Sequence, residues 1–166
     1  MEIAIDLGAS EKAGYTGNNG LYVKADLDVP SKDVIAELAT RLGINVDKGE
    51  LHTTVMYSKE PVIPAMAPIY DNAVIAVGAE VKHWIGHNDK RYLVLGLQCA
   101  ELISYHASYV RAGAKPTFVP YAPHITLSND IAMSEEFENL IKVVNAQLNR
   151  FPLRLRLTMC PPEDLH

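Results

Sequence analysis

Two short runs, LHTTVMYS at residues 51–58 and PHITLS at 123–128, carry the same spaced pair: His52 with Thr54, and His124 with Thr126. The two histidines lie 72 positions apart, and the same shift carries GLYVKADL (20–27) onto YLVLGLQC (92–99). It also brings the helical pattern at 31–42 to within about two to four residues of a second one near 100–112. The chain thus reads as two copies of strand, helix, histidine strand, spanning about 20–58 and 92–130. Two copies are too few for a solenoid. They predict an α/β (α+β) fold of two pseudo-symmetric β-sheet lobes, flanked by helices, facing each other across a central cleft. A length of 166 residues suits a single domain over 1–166.

The remaining elements follow from local pattern. Residues 2–7 (EIAIDL) read as a short strand and 8–19 as a glycine- and asparagine-rich loop. Pro30 and Ser31 open the first helix, with Ser31 as its expected N-cap and Gly43 as its stop. The apolar face of that helix is Val34, Ile35, Leu38 and Leu42. Residues 60–70 hold three prolines and read as a loop. Residues 73–86 and 91–98 read as two strands joined by a turn at HNDK. GAKPTFVPYAP is a connector, 134–148 a third helix, and LRLRLTM (153–159) a last strand. The third helix and last strand are expected to complete the second lobe.

Residues i and i+2 of a strand share a face. His52 therefore shares one with Thr54, and His124 with Thr126. Two lobes related by a pseudo-twofold axis would bring two imidazoles and two hydroxyls into one small volume. Such a set suits metal-independent phosphoryl transfer. With a reference pKa of about 6.5, one histidine can act as base while the other acts as acid. The threonine hydroxyls can donate to non-bridging phosphate oxygens, where charge builds in the transition state. Average composition gives about 0.2 such triplets in a chain this long, so two at equivalent points of a repeat speak against chance.

The other histidines carry less. His83 and His87 are four apart, a spacing that binds zinc on a helix, but the segment reads as strand and turn with no third ligand. His106 and the terminal His166 receive no role. Cys99 and Cys160 lie outside any CxxC pattern, which fits a reducing compartment. A formal net charge of −5 disfavours a long nucleic acid, whose binders gain affinity from basic side chains. No run approaches the length of a membrane span, and the start MEIAIDLGASEKAG lacks the pattern of a signal peptide, so a cytoplasmic protein is expected.

The paired motifs resemble those of the 2H phosphoesterase superfamily, whose members have a bilobal fold and act without metal on cyclic phosphates, 2'-5' linkages and related phosphodiesters. GLYVKADL, ELHTTVMYS, SYHASYVRAGA and YAPHITLSNDI, in that order, look more closely like the phage anti-CBASS phosphodiesterases. That resemblance implies cleavage of the 3'-5' bonds of cyclic di- and trinucleotide second messengers containing adenine, of the 3',3'-cyclic GMP-AMP and cyclic triadenylate type. It implies evasion of host CBASS defence in the bacterial cytoplasm, and no cofactor. It carries the catalytic pair onto His52 and His124, with Thr54 and Thr126 binding phosphate. It further implies substrate contacts by Tyr22, Trp84 and Glu163. Tyr22 otherwise reads as a half-buried strand tyrosine, Trp84 as core, and Glu163 as a solvated carboxylate. Lys24 shares the face of Tyr22 and could meet phosphate or solvent. Two other functions compete: RNA end processing at 2',3'-cyclic or 2'-5' bonds, and a non-catalytic sponge that sequesters the nucleotide.

Overall fold

A computed structural model describes residues 14–86 and 88–166; the strand expected at 2–7 and His87 lie outside the described residues. The elements run β1 (Leu21–Leu27), α1 (Val29–Arg41), β2 (His52–Ser58), β3 (Ala73–Ile85), β4 (Arg91–Gln98), α2 (Ala100–Arg111), β5 (His124–Ser128), α3 (Glu135–Arg150), β6 (Leu153–Met159) and β7 (Glu163–Asp164). The repeat appears as β1–α1–β2 and β4–α2–β5, and in each copy the two strands pair antiparallel.

All seven strands belong to one sheet in the order β2-β5-β4-β3-β6-β1-β7. Every pairing is antiparallel, and β1 also pairs with β2, so six strands close into a ring. The last strand does not complete one lobe as expected from the sequence. β6 sits between the halves, pairing along its length with β3 and at Leu157–Met159 with β1. β7, which the sequence pattern did not reveal, takes the remaining edge of β1 at Leu21 and Tyr22. Two residues after a pair of prolines carry no alternation to read. Asp164 is buried there and accepts from both the amide and the hydroxyl of Thr16 at 2.9 Å.

Strand faces divide the residues cleanly. Along β1 the residues alternate buried and half-buried, and β6 alternates in the same way. Leu21, Val23, Ala25, Leu155 and Leu157 join Ile35 and Leu38 of α1 and Leu102 and Tyr109 of α2 in one core. The Tyr109 hydroxyl is satisfied by the Pro68 carbonyl at 2.6 Å. α3 packs on β3, where the Asn145 amide bonds both the nitrogen and the oxygen of Val81, at 2.7 and 2.9 Å.

The first helix begins earlier than its sequence suggests. Asp28, not Ser31, is the N-cap; its carboxylate accepts from the Ser31 amide at 2.9 Å, and the hydrogen bonds from Ser31 hold that carboxyl below the usual range. Ser31 is buried, and its hydroxyl accepts from the Arg156 amide of β6 at 2.9 Å. The helix ends as expected at Gly43, whose φ of +74° suits a residue without a Cβ. Gly20 is needed for a different reason: a Cβ there would lie 2.2 Å from the Ser58 carbonyl oxygen.

If β6 holds the ring together by its core face, the cost of truncation depends on parity. Leu157→Ala, at a fully buried position, should destabilise by about 2–5 kcal/mol in urea unfolding. Thr158→Ala, on the opposite face, should stay within about 0.5 kcal/mol.

Candidate active site

β2 contains a bulge that shapes the site. Val23 pairs with Met56 and Lys24 with Thr54, so Val55 is an extra residue between them. Val55 and Met56 are consecutively buried, and the parity of the strand flips. His52 and Thr54 therefore share the face opposite the core, and beyond the bulge Tyr57 joins them. Cross-strand register puts Tyr22 beside Tyr57, Lys24 beside Thr54 and Asp26 beside His52.

β5 meets β2 at one ladder position, Thr53 with Ile125. Both residues are fully buried. In an antiparallel pair this register sets Thr54 opposite His124 and His52 opposite Thr126. The two motifs thus interleave: each histidine stands across from the threonine of the other. The Thr53 hydroxyl adds a bond to the His124 carbonyl at 2.7 Å.

The two imidazoles are held alike. His52 Nδ1 bonds the Glu50 carbonyl at 2.7 Å, and His124 Nδ1 bonds the Ala122 carbonyl at 2.8 Å. A carbonyl only accepts, so each Nδ1 carries the proton and each neutral ring presents Nε2 as a base. Their surroundings then differ. The Tyr22 hydroxyl donates to His52 Nε2 at 3.0 Å, and burial pushes that phenol above its usual value, which keeps it a donor. His124 lies edge-on to Trp84, with ring centroids 4.5 Å apart. Burial first, and then a charge on His52, hold His124 below the ordinary histidine value, against an opposing pull from the Ala122 carbonyl.

The structure brings Tyr22, Lys24, Trp84 and Glu163 to the neighbourhood of the two motifs. Tyr22 lies against His52, and Glu163 of β7 is the strand partner of Tyr22. Trp84 lies beside His124 and outside the hydrophobic core. Lys24 flanks Thr54 and forms an ion pair with Asp26 at 3.6 Å. Sequence reasoning missed four neighbours. Tyr57 reaches the face only through the bulge, and Phe118 packs on it with centroids 5.9 Å apart. Tyr121 donates to the Thr54 carbonyl at 3.0 Å, and His106 Nδ1 bonds the Val55 carbonyl at 2.7 Å. The position of Tyr121, three residues before His124, was the one available signal.

His83 lies on β3, and His87 is outside the described residues. Among the described residues no three His, Cys, Asp or Glu side chains gather as metal ligands, and no helix is long and apolar enough to cross a membrane.

The sequence profile of the family described as anti-CBASS protein Acb1 matches residues 19–152, which include both histidine strands. An anti-CBASS protein Acb1 of Enterobacteria phage T4 is 32% identical over 142 residues, covering 83% of this chain and 91% of that protein. One of Yersinia phage phiR1-RT is 32% identical over 143 residues, covering 82% and 90%. One of Vibrio phage KVP40 is 28% identical over 127 residues, covering 75% and 82%. With the profile spanning most of the sequence and these relatives covered nearly end to end, the chain belongs to the anti-CBASS protein Acb1 family.

Proposed function

We propose that this protein is a metal-independent phosphodiesterase that opens the 3'-5' bonds of cyclic di- and trinucleotide second messengers containing adenine, and so evades CBASS defence in the host bacterial cytoplasm. The observation that carries the reading is the register at Thr53 and Ile125, by which each histidine stands across from the threonine of the other motif. In this reading the chain is one domain over 1–166, and its repeats, about 20–58 and 92–130, are the lobes of a bilobal 2H phosphoesterase fold.

The chemistry follows from the two environments. A ribose 2'-hydroxyl attacks the adjacent phosphorus. His124, kept neutral by burial, takes its proton at Nε2. The bond from phosphorus to the 5' oxygen breaks, and protonated His52 supplies the proton to that oxygen. Thr54 and Thr126 donate to the non-bridging oxygens as charge builds on them. The 2',3'-cyclic phosphate then admits water with the roles of the histidines reversed, leaving a linear product with a 3' phosphate. Tyr22, Trp84 and Glu163 hold the bases. Trp84 and Tyr22 lie on either side of the histidine pair, an arrangement that suits a ligand with a base on each side of the scissile phosphate. Hydrolysis of 2',3'-cyclic or 2'-5' bonds in RNA would use the same groups; the net charge of −5 favours the small cyclic ligand. A pair of imidazoles, each presenting Nε2, favours turnover over sequestration.

Product analysis tests the reading directly. Incubated in EDTA with 3',3'-cyclic GMP-AMP, cyclic triadenylate, linear 2'-5' oligoadenylate and an RNA ending in a 2',3'-cyclic phosphate, the protein should convert only the cyclic nucleotides, to linear 3'-phosphorylated products. Cleavage of the last two alone would move it to RNA processing, and binding without cleavage would make it a sponge.

His52→Ala and His124→Ala should each lose about 10²–10⁴-fold in turnover while calorimetric affinity stays within about tenfold, because acid and base act mainly in the transition state. Full activity in either variant would refute the mechanism. For pH, a base with a lowered pKa loses its proton at lower pH. The acidic limb of kcat/KM should therefore lie below the ordinary histidine value of about 6.5. Imidazole NMR should show His124 titrating there, and titrating higher once His52→Ala removes the neighbouring charge.

A further inference from the structure

β2 and β5 share one ladder position, yet the two motifs depend on how these strands sit against each other. Two hydroxyls fasten them beside that position. Thr53 Oγ1 of β2 donates to the His124 carbonyl at 2.7 Å, and the Tyr121 hydroxyl, from the segment before β5, donates to the Thr54 carbonyl at 3.0 Å. Each bond joins the backbone of one histidine motif to the strand or approach of the other. Tyr121 also adjoins Ala122, whose carbonyl orients the His124 ring at 2.8 Å. A displaced Tyr121 would carry that carbonyl, and the imidazole, with it.

The bulge explains why side chains do this work. Val55 is the inserted residue, and the carbonyls of Thr54 and Val55 accept from Tyr121 and from His106 of α2, the latter at 2.7 Å. The rings of His106 and Tyr121 stack face to face, 4.1 Å apart and 2° from parallel. The stack fixes the direction of the phenol. Burial pushes the Tyr121 phenol well above its usual value, so it remains a donor throughout the working range.

Resting on the reading of His52 and His124 as acid and base, we propose that Tyr121 and Thr53 are positioning residues that set the separation and aim of the two imidazoles. Neither touches substrate. Both act by holding β2 against the approach to β5, and His106 acts as the backing of Tyr121.

Tyr109 supplies a matched control. It is a buried tyrosine whose hydroxyl also meets a backbone carbonyl, and its phenol is likewise pushed up by burial, but that carbonyl belongs to Pro68 and to neither motif. Tyr121→Phe, Thr53→Val and Tyr109→Phe would be compared by steady-state kinetics on 3',3'-cyclic GMP-AMP, by melting temperature, and by ¹⁵N NMR of the His52 and His124 rings. Tyr121→Phe and Thr53→Val should each lower kcat about tenfold or more with KM within about twofold, since a misplacement of about 1 Å is enough for such losses. Their His124 ring signals should move. Tyr109→Phe should lose a similar melting temperature with kcat and ring signals unchanged. The proposal is overturned if Tyr121→Phe and Thr53→Val leave the ring signals at their wild-type positions, or if Tyr109→Phe loses as much kcat as they do. A wild-type protein that cuts nothing would refute the phosphodiesterase reading alone; the ring signals would still decide the positioning role.

Discussion

The meeting of β2 and β5 at a single ladder position is the constraint on which the site depends. Elsewhere in the ring the strands pair over longer stretches, β3 with β4 and with β6 above all. Were β2 and β5 zipped along their lengths, their opposed residues would stand about 5 Å apart throughout. Where the ladder stops, backbone groups still need partners, because a buried carbonyl left unpaired is costly. Side chains from α2 and from the connector before β5 take that part. The open seam and its lateral bracing are therefore two consequences of one interrupted pairing.

Placing the motifs on strands gives them a stiffness that loops would not. Each histidine is the first residue of its strand, and each ring turns back to the carbonyl two residues earlier, Glu50 in one case and Ala122 in the other. The opposite face of each strand is anchored in the core by Thr53, Val55, Ile125 and Leu127. Polar groups are thus held by an apolar layer directly beneath them. β6 matters for the same reason: by joining β1 to β3 it leaves neither half of the repeat with a free edge that could slip in register.

Much of this was legible in the sequence because it rests on local periodicity. The strands at 20–27 and 153–159 alternate in sequence and in burial, and the 72-residue repeat announced the pairing of the motifs. What the sequence hid is what pairing decides. The bulge at Val55 has no residue signature, so the place of Tyr57 could not be read. β6 has the pattern of any strand, and nothing in LRLRLTM says that it bridges the halves. Ser31 looked like a cap because serine caps helices, but Asp28 outcompeted it, and the Ser31 hydroxyl is spent on β6. His106 lay in a helical pattern that gave it no role; its part, a bond to the Val55 carbonyl, depends on where a distant bulge places that carbonyl.

The repeat also sharpens a question that it cannot answer by itself. Two identical motifs in a symmetric fold would make acid and base interchangeable. The fold breaks that symmetry outside the motifs. On one side Tyr22, brought by β1, meets His52 Nε2 and can accept its proton's hydrogen bond once the ring is charged. On the other side Trp84, brought by the long hairpin of β3 and β4, covers His124 and offers no acceptor. Charge on His124 is opposed by burial and by its twin. In the proposed mechanism the first histidine strand carries the proton and the second receives one, a division that rests on what each strand's neighbours supply and not on anything within the motifs.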